Sequence, residues 1–310
     1  MSISELAEIA ASLEPALLVE EVDRLRAAEG ILAKQGELEV FLGTSEQLPN
    51  VLLEIGRLRE VAFRAVGEGT GKDRDLDRFD EYYLHLFLWD REAQAVAGAY
   101  RVGLTDVILQ ERGPQGLYCS SLFAFEQPFL DHLTPGLELG RSFVALDYQR
   151  SLGSLLGLWK GLATYVSRNP RYGKLFGPVS ISNDYTQISK DLIVRFMREK
   201  KKEVDLASFV RPRHPFDDPG FGDISLRLES IEEVSARVAD LEPDGKGVPI
   251  LLKQYLKLNA TLLEFNVDPS FGNCLDALVL LDLERTPDKM LGRYMGKEAM
   301  KKFRAETGVR

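Results

Sequence analysis

A strand, a glycine-bearing turn and a helix follow one another between residues 138 and 166, and no other stretch constrains the fold as strongly. Glu138-Leu139-Gly140-Arg141-Ser142-Phe143-Val144 reads as a β segment, Gln149-Arg150-Ser151-Leu152-Gly153-Ser154 as a polar turn, and 155–166 as an apolar helix. A helix entered through such a turn leaves backbone N–H groups unpaired and aimed at one point. The helix dipole adds partial positive charge there, so the turn suits a phosphate-bearing anion. The glutamate and arginine just upstream supply a candidate base and a candidate cationic clamp within one strand of that turn.

Composition narrows the classes. The 310 residues are 45% hydrophobic, enough for one large domain or two modest ones with a substantial core. A net charge of −9 argues against bulk nucleic-acid binding. Cys119 and Cys274, with His85, His132 and His214, fall in no metal-ligand spacing, so no metal site is expected, and two reduced thiols fit a cytoplasmic protein. The first residues are acidic and mixed in character, unlike a signal peptide, and no apolar run reaches the ~18 residues of a membrane span. Membrane contact, on this reading, is peripheral.

Periodicity predicts a helix over 3–35 broken or kinked at Pro15, a strand over 37–42, and a helix over 49–66. A polar loop follows over 67–78. Paired strands are expected over 82–89 and 95–103, and short helices between 104 and 136. A strand over 174–182 and a helix over 185–200 come next. The prolines and charges of 209–223 mark a surface loop; 229–241 and 248–258 read as helices, 260–267 and 275–283 as strands. This order implies a mixed α/β sheet with helices on both faces. The organisation expected is a helical leader or linker over 1–36, a main domain over 37–296 with a loop and helix insertion at about 203–247, and a tail over 297–310.

The element order and the turn resemble the N-acetyltransferase-like (GNAT) superfamily, whose turn reads Gln/Arg-x-x-Gly-x-Gly/Ala. Arg150-Ser151-Leu152-Gly153-Ser154-Leu155 keeps its first four positions and ends in leucine. The resemblance implies a GNAT-like, mostly antiparallel central sheet flanked by helices, with a strand before the turn that splays from its neighbour. It also implies a thioester donor, coenzyme A or the phosphopantetheine of acyl carrier protein, held by Phe143, Val144, Gln149, Arg150, Ser151, Gly153 and Ser154. No cofactor is expected to be bound permanently. A second likeness is to the acyl-homoserine-lactone synthases. Their pattern is matched by Arg59 and Phe63, Asp77 and Asp80, Arg101, and Glu138-x-x-Arg141, with Ser142 inserted before Phe143.

The broadest likeness is to the ornithine-lipid-type, hemolysin-like N-acyltransferases, over about residues 37–296. It rests on Gly56-Arg57-Leu58-Arg59-Glu60, Asp75-Leu76-Asp77-Arg78-Phe79-Asp80, Gly177-Pro178-Val179-Ser180-Ile181-Ser182-Asn183-Asp184-Tyr185 and Phe265-Asn266-Val267-Asp268-Pro269. Some relatives carry a second, O-acyltransferase domain. Its absence here implies a single acylation.

Each candidate has a functional and a structural reading. Glu138 is read as the base that deprotonates an acceptor ammonium directly or through water, or as a strand glutamate paired with Arg141. Arg59, Arg101 and Arg141 with Asp77 and Asp80 bind an amino-acid acceptor, or form an ion-pair network that orders the preceding loop. Asn183 and Tyr185 lie where the superfamily places the thioester, with Tyr185 as proton donor to the leaving thiolate. Their alternative roles are helix capping and core packing. Backbone N–H groups at Val144 are candidates for polarising the thioester carbonyl. His85 and Asp90 spell a His-x-x-x-x-Asp signature, but a strand sends them to opposite faces. The basic run 198–202 is read as a docking patch for acyl carrier protein or anionic lipid, or as charge at a helix end. Catalytic candidates are therefore Glu138, Arg141 and Tyr185; substrate candidates are Arg59, Phe63, Asp77, Asp80, Arg101 and Asn183.

The likeness implies transfer of a long, 3-hydroxy acyl chain from acyl carrier protein to an amino acid's amine, giving a lyso-aminolipid. The partners are the carrier protein and the amino acid, with peripheral contact at the inner membrane and no nucleic acid. An acetyl-CoA-dependent N-acetyltransferase and a non-catalytic, membrane-active protein remain as alternatives. An apolar tunnel beside Phe63, Trp89 and Phe143 is the feature expected of a long-chain enzyme.

Overall fold

The computed structural model describes residues 6–149, 151–217 and 228–308. In chain order the elements are α1 (Pro15–Ala27), β1 (Ala33–Gln35), β2 (Leu38–Gly43), α2 (Pro49–Arg64), β3 (Leu84–Asp90), β4 (Ala95–Leu104), α3 (Thr105–Arg112), β5 (Phe123–Phe125), α4 (Gln127–Leu133), β6 (Leu137–Val144) and α5 (Leu152–Arg168). They continue with β7 (Lys174–Ile181), α6 (Gln187–Lys200), α7 (Val204–Ala207), β8 (Val210–Pro212), α8 (Ile231–Leu241), α9 (Ile250–Lys257), β9 (Thr261–Asp268), β10 (Cys274–Asp282), α10 (Asp288–Met295) and α11 (Lys297–Thr307). Among the described residues eight strands form one sheet in the order β1-β2-β3-β4-β6-β7-β10-β9. Every neighbouring pair is antiparallel except β6 with β7. The architecture is thus the mixed, mostly antiparallel α/β sheet expected. The short pair β5–β8 stands apart.

The strands are apolar on both faces because both faces are covered. Leu86 and Leu88 of β3 meet Leu158, Leu162 and Val166 of α5, while Phe87 meets Val51 and Ile55 of α2. On α2, Val51, Ile55, Arg59 and Ala62 recur at helical spacing, so one arginine lies on the core stripe. A guanidinium placed there must find anions nearby.

The N-terminal helix differs from expectation. Proline at the first position starts α1 at Pro15 instead of kinking a longer helix, and residues 6–14 are not helical. Residues 3–5 of the expected helix, and 218–223 of the expected loop, lie outside the described residues. The Glu21 carboxylate of α1 accepts from the N–H groups of Asn50 (2.9 Å) and Val51 (2.9 Å), capping α2. Residues 33–35 turn into an edge strand rather than ending the helix. At the other end, Phe303 of α11 is fully buried.

Two irregularities in β6 shape the site. Ala99 pairs with Phe143 and Arg101 with Gly140, so Arg141 and Ser142 together oppose Tyr100 in a β-bulge. Arg141 takes a positive φ of 49° there. Residues three apart on a regular strand point to opposite faces, but the bulge returns Arg141 to the face of Glu138, and both side chains reach Tyr118. The second irregularity is that β6 pairs with β7 only at Leu137↔Leu175 and Glu138↔Phe176, after which the strands part. Just past the paired residues, Gly177 lets the two backbones lie close, for a Cβ there would collide with the Leu139 carbonyl. Gly177→Ala is expected to destabilise the protein by about 2–3 kcal/mol, read as a lower urea midpoint with an unchanged slope.

Candidate active site

Behind the opening between β6 and β7 lies a closed charge cluster. Arg59 holds both oxygens of Asp80 at 2.9 Å, and its Nε lies 3.4 Å from the Asp75 carboxylate. Arg101 donates to Asp77 (2.6 Å) and stands 3.3 Å from Asp80. Arg141 reaches Asp75 (3.0 Å) and, at longer range, Asp77 (3.8 Å). The cluster also orders the loop after α2. Asp77 and Asp80 form a reciprocal capping box, and Asp75 N–H donates to Gly56 O (2.9 Å), an approach that a Cβ on Gly56 would obstruct against Leu76. Arg101 leaves Nε and Nη2 without acceptors and presents its plane to the rings of Phe79, Tyr83 and Tyr118. Three guanidinium groups thus meet three carboxylates, and the cluster is neutral.

Glu138 is buried beside this cluster. Its carboxylate accepts from Tyr83 OH, from the Tyr118 N–H (3.1 Å) and from the Cys119 N–H (2.5 Å). Burial raises its pKa, and the donors around it pull the other way. These contacts fix the turn that carries Tyr118, whose hydroxyl accepts from Arg141 Nη1 (3.0 Å). Glu138 does not line the cavity described next.

The parting strands open a cavity of about 130 Å³. Arg141 and Ser142 of β6 face Val179 and Ser180 of β7 across it, and Phe63 and Phe271 meet edge to face (5.1 Å) on its wall. Three further carboxylates line it: Glu68, Asp268 and Asp276. Asp276 Oδ1 accepts from Ser180 Oγ (2.8 Å), and Asp268 Oδ1 from the Ser270 N–H (2.9 Å). Glu68 is 7% exposed; its backbone N–H donates to Phe63 O (2.8 Å), and its carboxylate has no hydrogen-bond or ion-pair partner among the described residues. Burial, then the neighbouring Asp276 and Asp184, push Glu68 up to about 8 against the pull of Arg141. Burial likewise lifts Asp276 to about 7. A cavity walled by one guanidinium and by carboxylates that include the raised pair Glu68 and Asp276 is suited to a zwitterion whose amine must lose a proton.

Comparison with known proteins places the chain in a family. Residues 58–160 match the Acetyltransferase (GNAT) domain family. A glycine N(alpha)-acyltransferase of Bacteroides thetaiotaomicron is 32% identical over 263 residues, 79% of this chain and 77% of that protein. The chain belongs to the GNAT-like N-acyltransferases of the ornithine-lipid type. An L-ornithine N(alpha)-acyltransferase of Brucella abortus is 27% identical over 89% of this chain and 98% of its own length. Among solved structures, the acyl-homoserine-lactone synthase LasI overlaps 83% of this chain at 14% identity, loosely, with a TM-score of 0.42.

The residues expected to hold a donor lie along β6 and the turn after it. Ala145 N–H donates to Ala97 O (3.0 Å). The alternation of an antiparallel ladder therefore turns the N–H and C=O of Val144 away from β4, towards the side where β7 has left. Gln149 Nε2 donates to that carbonyl (3.1 Å), Ser151 Oγ caps α5 by accepting from Gly153 N–H (3.2 Å), and Ser154 Oγ donates to Tyr148 O (3.3 Å). Arg150 lies outside the described residues. Phe143 and Trp89 are packed in the core under α2, and of the expected tunnel residues Phe63 lines the cavity.

Several expected residues lie elsewhere. Tyr185 OH donates to Gly247 O (2.7 Å) beneath Lys246. Asn183 does not cap α6, because Thr186 takes that position; Asn183 instead donates to Gly272 O and accepts from Lys190. It thereby ties the end of β7 to the turn that carries Phe271. His85 Nε2 sits 2.9 Å from Asp80 O, whereas Asp90 accepts from Tyr148 OH (3.0 Å), so the two do not form a dyad. In the basic run, Lys200 pairs with Glu229 and Lys202 with Glu264, while Ile193, Phe196 and Met197 of α6 are core residues. Among the described residues no helix is long and apolar enough to cross a membrane.

Asp75, Glu68, Tyr118, Asp268, Phe271 and Asp276 were missed as site residues in the sequence. Asp75 stands two positions before Asp77, in a segment already singled out. Asp268 likewise falls within the 265–269 segment already singled out; nothing local marks Glu68, Tyr118, Phe271 or Asp276, which only the fold brings together.

Proposed function

We propose that this acyltransferase moves a long acyl chain, 3-hydroxylated in its native donor, from acyl carrier protein to the α-amine of an amino acid. The product is a mono-acylated lyso-aminolipid. The observation that carries this reading is the cavity between β6 and β7, where Arg141 faces Glu68, Asp268 and Asp276, so a zwitterion meets opposite charge at both ends. The relatives act on glycine and L-ornithine, both α-amino acids. The phosphopantetheine arm would lie along the unpaired side of β6. There the Val144 N–H is positioned to polarise the thioester carbonyl, and the turn at Gln149, Ser151, Gly153 and Ser154 is positioned to take the phosphate. Glu138 supports the site as a positioning residue: it holds Tyr118, which in turn meets Arg141.

Lipid mass spectrometry on bacteria expressing the chain tests the reading. A new mono-acylated amino acid, present with the intact protein and absent with Glu138→Ala or empty vector, is the expected result, and its mass names acceptor and chain. Purified protein that turns over acetyl-CoA, but makes no long-chain amide from acyl carrier protein or acyl-CoA, overturns it.

A further inference from the structure

We propose that Glu68 and Asp276 form the acceptor-amine subsite of the cavity: they receive the amino acid's ammonium group and take the proton it must lose, while Arg141 faces its carboxylate. The proposal rests on the amino-acid acylation read above and adds the residues that carry its proton transfer. It follows from an accounting of carboxylates. Asp75, Asp77 and Asp80 are matched one for one by Arg59, Arg101 and Arg141. Glu138 has its oxygens held by three donors and stands off the cavity. The carboxylates that remain are those on the cavity wall.

Glu68 is the most telling of them. It is more than nine-tenths buried and lines the cavity, and its side-chain carboxylate has no hydrogen-bond or ion-pair partner among the described residues. A buried carboxylate without a partner is costly, and a cationic ligand that completes it explains why one stands there. On Asp276 one oxygen is held by Ser180 and Cys274, which leaves the other for the ligand. The groups facing this pair are Arg141 from β6, Asp184 beyond β7, Asp268 from β9 and Cys274 from β10. With Glu68 raised to about 8 and Asp276 to about 7, both groups lie close to the working pH, so an arriving ammonium can displace a proton from the pair and leave a carboxylate able to act as its base.

The step balances. The ammonium gives one proton to a carboxylate, the freed amine nitrogen bonds to the thioester carbonyl carbon, and the carbon–sulfur bond breaks. The second nitrogen proton goes to the departing sulfur, leaving an amide and a free thiol.

Calorimetric titration of glycine and of L-ornithine into purified protein at pH 7, in two buffers of different ionisation enthalpy, tests the subsite. Circular dichroism checks the fold of each variant. Wild type is expected to release close to one proton per amino acid bound. Glu68→Gln and Asp276→Asn should bind at least 10-fold more weakly and release less. In turnover assays with an acyl thioester, Glu68→Gln should lose ~10²-fold in kcat/KM for the amino acid at pH 7 and recover as pH approaches ~9.5, where free amine accumulates without a base. Recovery of this kind is not expected of a merely structural residue. Wild-type affinity, proton release and pH profile in both variants would overturn the proposal, as would wild type that binds neither amino acid with or without coenzyme A present. Proton-linked binding without N-acyl product would leave the subsite standing and remove the proposed function. Product formation with unaltered variants would do the reverse.

Discussion

Arg59→Ala is expected to lower the stability of the protein by about 3–5 kcal/mol, because it strands buried carboxylates that no water can reach. Arg59 is 1% exposed, and Asp75 and Asp80 beside it are 1% and 3% exposed. Burial alone would raise the Asp80 carboxyl; Arg59 and Arg101 outweigh it and hold the group well below the usual carboxylate range. Arg59→Lys is expected to recover little. One ammonium cannot bond both oxygens of Asp80 and the Asp75 carbonyl together, as the planar guanidinium does. Since the folded pKa of Asp80 is depressed, its contribution is present above the unfolded carboxylate pKa and is lost as pH falls below it. Urea midpoints at pH 7 and pH 3 measure both effects: a large deficit for Arg59→Ala at pH 7, narrowing at pH 3. Equal midpoints for variant and wild type at pH 7 would show the cluster to be energetically idle.

Glu68→Gln is expected to act in the opposite sense and stabilise the ligand-free protein at neutral pH. Burial, reinforced by Asp276 and Asp184, raises Glu68 from an ordinary 4.5 to about 8 in the folded state. A raised folded pKa means that the folded state holds the proton more tightly than the unfolded chain. Its favourable contribution is therefore complete below the unfolded pKa and is lost as pH rises towards 8. At ~1.4 kcal/mol per unit, wild type should lose on the order of 4 kcal/mol between pH 4.5 and pH 8 from this group alone. Asp276, raised to about 7, adds a parallel loss over a lower window. Thermal or urea unfolding from pH 4.5 to pH 8.5 should give a falling curve for wild type and a flatter one for Glu68→Gln, with the variant above wild type at pH 8. Stability given up at a functional carboxylate is the trade-off expected where a site is built for a ligand. Superimposable curves would mean that Glu68 sits in a wetter environment than the cavity geometry indicates.

Much of the scaffold was legible in local pattern. The helix of α2, the paired strands β3 and β4, the strand–turn–helix of β6 and α5, and the closing strands β9 and β10 follow from periodicities of 3.6 and 2 that short-range sterics impose. The elements that local pattern did not reveal are short or context-made. β1 has three residues and exists because β2 offers it an edge, and α10 and α11, which local pattern did not mark as helices, pack onto α5. The expected helix from residue 3 was misjudged because Pro15 starts a helix more readily than it bends one.

The site divides along the same line. Arg59, Asp77, Asp80, Arg101, Glu138 and Arg141 were identifiable as chemistry-bearing residues from type and spacing, and they do converge. Their pairing was not identifiable. A strand with Glu138 and Arg141 three apart should show them on opposite faces, and only the bulge at Arg141 and Ser142 brings them together. Nor could the strand order reveal that Asp276, 138 residues beyond Glu138, lies across the opening from Arg141. By itself the sequence determined most of the elements and the residue types, because these depend on neighbours along the chain; the closed charge balance of the cluster needed Asp75, which only the fold brought in. The tertiary structure alone decided which carboxylates remain unpaired and face the cavity. Pairing depends on which side chains the sheet order and the β6–β7 divergence bring within a few ångströms, and that distance has no counterpart in sequence separation.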